Sequence, residues 1–246
     1  MTVPLRHGVD WILRPLGAAA QEAEDMQDDT LIVEDTLLLM LDDKSGTPAG
    51  AGTLPYVLGG GMLVELALLG RVEADESRAG LGGPMIVAVG DGPLPDPLLQ
   101  NAYDIVARRP RRVQGLLSEL GDLWKPLTER LLERGFIRRE RKRMLGLIPM
   151  TWLPSTGSQH ETELRQRVVD VLEDGAEPDP HTAAVISLIS ASGTLPSLHP
   201  RPKWSSAVIG RAKELEEGNW GAGAVSSAVT RTAVAIAAVV VTTATR

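Results

Sequence analysis

Cysteine is absent from the chain. Disulfides, thiol nucleophiles and cysteine-ligated metals are excluded with it. Aromatic residues are scarce as well, at one Phe, two Tyr and five Trp in 246 residues. The core must therefore be built from Leu, Val, Ile and Ala, a composition suited to closely packed helices. The histidines His7, His160, His181 and His199 are not spaced with carboxylates as a metal site requires. Positive charge is in deficit, 25 Lys+Arg against 32 Asp+Glu for a net −7, and no nucleic-acid partner is expected of so acidic a chain. A secretory h-region is missing too, because Arg6, Asp10 and Arg14 interrupt residues 1–16. The longest apolar stretch, 222–245, is broken by Arg231, leaving 14 uncharged residues before Arg246. A membrane span needs roughly 17–25 apolar residues, so this stretch reads as a buried core helix and the protein as cytoplasmic. Catalytic motifs are lacking. Gly59-Gly-Gly61 has neither the Lys-Ser/Thr nor the preceding strand of a phosphate loop, and reads as a site of close helix packing. Ser187, Ser190, Ser192, Ser205 and Ser206 have no neighbouring base and no elbow motif. No catalytic residue, cofactor or metal is expected.

What is present is a chain with 43% hydrophobic residues, enough for one folded domain. Residues 1–30 form an acidic leader carrying Glu22, Glu24, Asp25, Asp28 and Asp29, expected to be partly disordered with a short helix near 9–16. The ordered domain is expected over 31–246. Residues 31–41 are too apolar for a surface helix and read as a core helix stopped by Gly46. A second helix is predicted over 54–69 from the spacing of Leu58, Met62, Leu66 and Leu69, with Gly70 as its stop. Further helices are predicted over 98–108, 111–120, 127–133, 161–173, 179–192, 205–217 and 223–245. An extended pair is predicted from Arg71-Val-Glu-Ala-Asp and Pro84-Met-Ile-Val-Ala-Val89, and a hairpin over 138–153. The segments beginning at Glu65 and Glu129 echo each other, each a helix, a glycine stop and a β-branched residue that could precede a hairpin. A winged helix reads the same way, which keeps a nucleic-acid binder in view as a weaker alternative. The carboxylates Glu34, Asp35, Asp42 and Asp43 read as solvated caps around the first core helix. The abundance of Arg over Lys, with much Ala and Gly, suggests a GC-rich bacterial genome.

One stretch combines unusual features. Between residues 130 and 143 seven basic side chains stand against Glu133 and Glu140. Met144-Leu-Gly-Leu-Ile-Pro-Met-Thr-Trp-Leu-Pro154 follows directly. An apolar loop flanked by arginines is the sequence form of a peripheral membrane contact. Lys125, Arg138, Arg139, Arg141, Lys142 and Arg143 are the headgroup candidates. Met144, Leu145, Leu147, Ile148 and Trp152 are the candidates for membrane insertion or for a subunit contact. The alternative is a soluble helical interaction module whose hairpin buries itself in an oligomer or a partner.

Four blocks, in order, resemble the Golgi phosphoprotein 3 family: Glu34-Asp-Thr-Leu-Leu-Leu-Met-Leu-Asp-Asp-Lys-Ser-Gly46, Leu58-Gly-Gly-Gly-Met-Leu-Val-Glu-Leu-Ala-Leu-Leu-Gly-Arg71, Leu127-Thr-Glu-Arg-Leu-Leu-Glu-Arg-Gly-Phe-Ile137 and Gly175-Ala-Glu-Pro-Asp-Pro-His-Thr-Ala-Ala-Val-Ile-Ser-Leu-Ile189. The resemblance implies a mainly α fold, a single multi-helix domain around a buried apolar C-terminal helix with a projecting β-hairpin. It implies a non-catalytic membrane adaptor that binds phosphatidylinositol 4-phosphate and protein cargo. In this sequence the family's pocket tryptophan falls near Gly50, its first arginine at Gly59 and its two later arginines at Gly121 and Trp124. None of the four positions holds the expected residue; Lys125 is adjacent. An anionic lipid partner and a homo-oligomer are the expectations that remain.

Overall fold

The computed structural model describes residues 30–81, 83–144, 148–220 and 226–244, with the backbone path alone for 142–144 and 148–150. The acidic leader and its predicted short helix lie outside the described residues.

Helix α1, Ile32–Met40, is buried along its whole length, as its near-continuous apolar run requires. It ends when Leu41 turns extended. Asp42 then closes a turn by accepting from the Ser45 amide at 2.8 Å and its hydroxyl at 2.7 Å. Gly46 ends this turn, not the helix. Its left-handed backbone (φ 69°) leaves no room for a Cβ beside the Leu153 carbonyl.

Helix α2, Leu54–Leu68, is the central element. Its three consecutive glycines sit about 100° apart around the axis, and each meets a different neighbour. A Cβ on Gly59 would strike the Leu117 backbone; one on Gly60 would meet Leu188 and Ile236; one on Gly61 would meet Val33. Close helix packing thus accounts for the triple glycine. Leu58, Met62 and Leu66 are buried as their spacing predicts, while Leu69, just past the helix, is exposed.

The sequence echo is structural. Gly70 and Gly135 both adopt φ near 70°. Each donates its amide to a carbonyl three residues back, and the next residue donates five residues back: Gly70 to Ala67 and Arg71 to Leu66, Gly135 to Leu132 and Phe136 to Leu131. This Schellman closure turns the chain into a β-hairpin each time. The first hairpin pairs β1, Val72–Gly80, with β2, Gly83–Ala88. Helix α3, Pro97–Ala107, follows, capped by Asp96. Strand β3, Arg111–Arg112, then joins β2 at its edge. The predicted helix over 111–120 therefore begins only at Val113, as α4, Val113–Leu120. Two ladder pairings to Met85 and Ile86 hold the arginines extended.

Helix α5, Trp124–Glu133, starts three residues before its predicted position. Pro126 fits its first turn, where a missing N–H costs nothing. The second hairpin is β4, Glu140–Met144, with β5, Ile148–Trp152. Helix α6, Gln159–Glu173, buries Leu164, Val168, Val171 and Leu172. Helix α7, Pro180–Ala191, is capped by Asp179, whose Oδ1 accepts from the Thr182 amide at 2.9 Å. Helix α8, Ser206–Glu216, is capped by Ser205. Helix α9, Ser227–Ala244, has the length and apolarity to cross a membrane. Here it packs on α2, α7 and β1 and buries Thr232, Ala233, Ile236, Ala237, Val239 and Val240. The Thr232 hydroxyl accepts from the Ala74 amide at 3.0 Å and donates to the Ala228 carbonyl at 2.9 Å, tying this helix to the first sheet. Among the described residues the fold is mainly α with two small antiparallel sheets.

Candidate functional site

The β4–β5 hairpin is a ribbon in simple register: Glu140 faces Trp152, Arg141 faces Thr151, Lys142 faces Met150, Arg143 faces Pro149 and Met144 faces Ile148. Cross-strand partners share a face and neighbours alternate. Register therefore puts Met144, Ile148, Met150 and Trp152 on one face with Glu140 and Lys142. Arg141, Arg143, Pro149 and Thr151 fall on the other. The sequence run thus sorts into a mostly apolar and a basic side. The connection 145–147, which holds Leu145 and Leu147, lies outside the described residues.

The ribbon's root is fastened on both strands. Arg138 and Thr156 donate their amides to the Pro154 and Phe136 carbonyls, each at 3.0 Å. Leu153 and Ser155 donate theirs to Ser45 at 3.1 Å and Asp43 at 3.0 Å, binding β5 to the turn after α1. Below it, buried Glu161 accepts from the Ser155 hydroxyl and from Arg165, which also reaches Asp43 at 2.5 Å. The hairpin is held at its base by α1, α5 and α6 together.

The basic run divides in two. Arg130 and Arg134 point inward, both to Glu34, which has no exposed surface. Arg130 meets Glu34 through two nitrogens at 3.1 Å each and reaches Asp96 at 2.6 Å. Glu34 also accepts from the Leu31 amide at 3.0 Å. Two of the seven counted charges are therefore spent in joining α5 to α1 and α3. The surface charge begins at Arg138, which pairs with Glu140 at 2.8 Å. Arg139 and Arg141 are exposed and form no ion pair among the described residues. Lys125 is exposed on the first turn of α5, about 12 Å of helix before its end at Glu133.

The expectation that Glu34 and Asp35 are solvated caps is overturned; both are buried. Asp35 accepts from His160 Nε2 at 2.6 Å on one oxygen and from His181 Nε2 at 3.0 Å on the other. This cluster joins α1, α6 and α7, and lines a cleft of about 550 Å³ with Glu65, Arg167 and Asp179. His160 also stacks on Phe136 at 4.8 Å, directly behind the hairpin root. A sequence signal existed: two acids inside a fully apolar helix must find partners. Glu34 finds Arg130 96 residues away and Asp35 finds its histidines 125 and 146 residues away, beyond the reach of any local spacing.

The cluster is built for cohesion. Burial works to raise the Asp35 carboxyl, but hydrogen bonds from both imidazoles hold it below the usual carboxylate range. Burial likewise works against the His181 imidazolium, yet Asp35, with Glu65 and Asp179, keeps it above its ordinary value. Burial pushes Glu65 up. The Thr30 hydroxyl lies 3.4 Å from the same His160 nitrogen that binds Asp35. A proton relay would need the carboxylate and the hydroxyl on opposite ring nitrogens. Among the described residues no three such side chains are arranged to hold a metal ion.

The linkage has a definite sign. Asp35 stabilises the fold above its unfolded value, a contribution lost as pH falls through its lowered folded value. His181 contributes fully below its unfolded value and loses that contribution as pH rises through its raised folded value. Glu65 adds to the loss on the alkaline side. Melting temperature is expected to fall below about pH 4 through Asp35 and above about pH 6.5 through His181, with Glu65 already lowering it from about pH 4.5 upward. Thermal melts of Asp35→Asn across this range are expected to show a flatter profile.

A family model described as Golgi phosphoprotein 3 (GPP34) matches residues 32–232, from the start of α1 into α9. The chain belongs to the Golgi phosphoprotein 3 family. Of the four positions that the resemblance sets against the family's lipid pocket, two are filled by backbone packing. Gly59 and Gly121 are buried, and a side chain at either would enter the Leu117 or the Pro55 backbone. Gly50 is left-handed at the approach to α2, and Trp124 opens α5 half-buried. At Gly59 and Gly121 neighbouring backbone leaves no space for a projecting side chain.

Proposed function

We propose that this protein is a non-catalytic, peripheral membrane adaptor of the cytoplasm that docks on anionic lipid through the β4–β5 hairpin. The observation that carries the reading is the root of that hairpin: Arg139 and Arg141, exposed and without an ion pair among the described residues, on a firmly anchored ribbon. Its register gathers Met144, Ile148, Met150 and Trp152 on one face. Family membership supports an adaptor role. Arginines meet anionic headgroups and apolar side chains enter the acyl boundary. Leu145, Leu147 and Ile148 each contribute about 1.5–3 kcal/mol if fully buried, and each basic residue about 1 kcal/mol. Association and ordering take back much of this sum, leaving reversible docking. The packed Gly59 and Gly121 support selection by charge without a dedicated phosphoinositide pocket.

The triple change Leu145→Ser, Leu147→Ser, Ile148→Ser is expected to lower binding to anionic vesicles by at least about ten-fold with the melting temperature unchanged. Undiminished binding would remove insertion from the account. The apolar face also favours a second reading, a homo-oligomer with the hairpin as subunit contact. In that case light scattering detects an oligomer that the same triple change dissociates.

A further inference from the structure

We propose that the acidic segment 22–29 of this chain docks on the basic root of its own hairpin and competes there with anionic lipid. The inference rests on the lipid-docking reading of the hairpin and adds its regulation. Three observations carry it.

The first is where the leader joins the fold. Thr30, the first described residue, has its hydroxyl 3.4 Å from His160 Nε2. The His160 ring stacks on Phe136 at 4.8 Å, and Phe136 lies two residues before Arg138. The leader therefore joins the domain at the foot of β4.

The second is charge. Residues 22–29 carry five acidic side chains and no basic one. Residues 138–143 carry five basic side chains against Glu140 alone. Arg138 is committed to Glu140 and to the Ser155 carbonyl. Arg139 and Arg141 are exposed without an ion pair among the described residues. Arg130 and Arg134 are occupied by Glu34 and Asp96 and do not compete for the leader.

The third is length. Eight extended residues reach at most about 27 Å, and a strand from Arg138 to Met144 covers about 20 Å. The acidic segment can lie along the basic strand without a long tether. A short tether holds it at an effective concentration of millimolar order, enough to rival a weakly anionic surface. Screening weakens the contact at high salt, as it weakens lipid docking.

The cysteine-free background permits a direct test in the full chain. Ala23→Cys is combined with Thr151→Cys, which lies across the ribbon from Arg141. The control pairs Ala23→Cys with Ser118→Cys, exposed on α4. Under mild oxidation at low salt the first pair is expected to crosslink about ten-fold faster than the control, an advantage lost at about 0.5 M salt. In parallel, Glu22→Gln, Glu24→Gln, Asp25→Asn, Asp28→Asn and Asp29→Asn together are expected to tighten binding to phosphatidylserine-containing vesicles about ten-fold at low salt. Equal crosslinking of the two pairs, or unchanged vesicle affinity of a chain that does bind vesicles, overturns the proposal. Selective crosslinking with no vesicle binding by either form supports the leader contact and counts against lipid docking itself.

Discussion

Glu34→Ala is expected to destabilise the fold by about 3–5 kcal/mol. The Glu34 carboxylate has no exposed surface and accepts from Arg130, Arg134 and the Leu31 amide. Removing it takes a shared carboxylate from two guanidinium groups, each only about one-fifth exposed. Like charges and lost solvation then act in the same direction. Asp96 compensates in part, because Arg130 already reaches it at 2.6 Å. Glu34→Gln keeps the shape and some hydrogen bonds and is expected to cost less. Urea unfolding followed by far-ultraviolet circular dichroism reads both variants. A loss below about 1 kcal/mol, the scale of a surface ion pair, would contradict the network's role. The consequence reaches the hairpin, since α5 leads into β4 and is fastened to α1 through this carboxylate.

Neutralising the hairpin charges is expected to give the largest functional effect. Arg139→Gln, Arg141→Gln, Lys142→Gln and Arg143→Gln together remove four cations, each contributing about 1 kcal/mol at an anionic surface. Affinity for anionic vesicles at low salt is expected to fall about a hundred- to a thousand-fold. The melting temperature is expected to stay, because Arg139 and Arg141 are exposed and outside the buried ion network. Vesicle flotation with quantified bound fraction measures it. A fall of less than about three-fold would move the contact elsewhere on the molecule, since even one such charge is worth more.

Much of the fold was legible locally. The glycine stops at Gly70 and Gly193, the Asp179-Pro180 start and the hairpin over 138–153 rest on short-range chemistry that tertiary packing had no reason to override. The family blocks gave the order of the rest. Strand β3 was not legible, because Arg111-Arg112 has no strand propensity and is extended only by pairing with Met85 and Ile86. The start of α5 was misplaced because Pro126 reads as a breaker unless it falls in the first turn.

The basic run was visible as composition but not as two populations. Nothing within residues 130–143 tells an arginine that faces Glu34 from one that faces solvent; the partner sits 96 residues away. Asp35, His160 and His181 were legible only as three separate residues. The acids in the first turn of α1 were the available clue, since a helix buried along its whole length has no solvated face to offer them. That the positions set against the family's pocket hold glycine was plain at Gly50, Gly59 and Gly121. Why no side chain returns there took the structure: the Cβ directions of Gly59 and Gly121 run into neighbouring backbone.

Vesicle co-sedimentation tests the central claim most directly, with neutral, phosphatidylserine-containing and phosphoinositide-containing vesicles at matched charge and two salt concentrations. The account predicts no binding to neutral vesicles, similar binding to both anionic kinds, and a marked loss at the higher salt. Binding confined to phosphoinositide vesicles and insensitive to salt would contradict docking by hairpin charge, and the absence of binding to any vesicle would contradict membrane docking altogether.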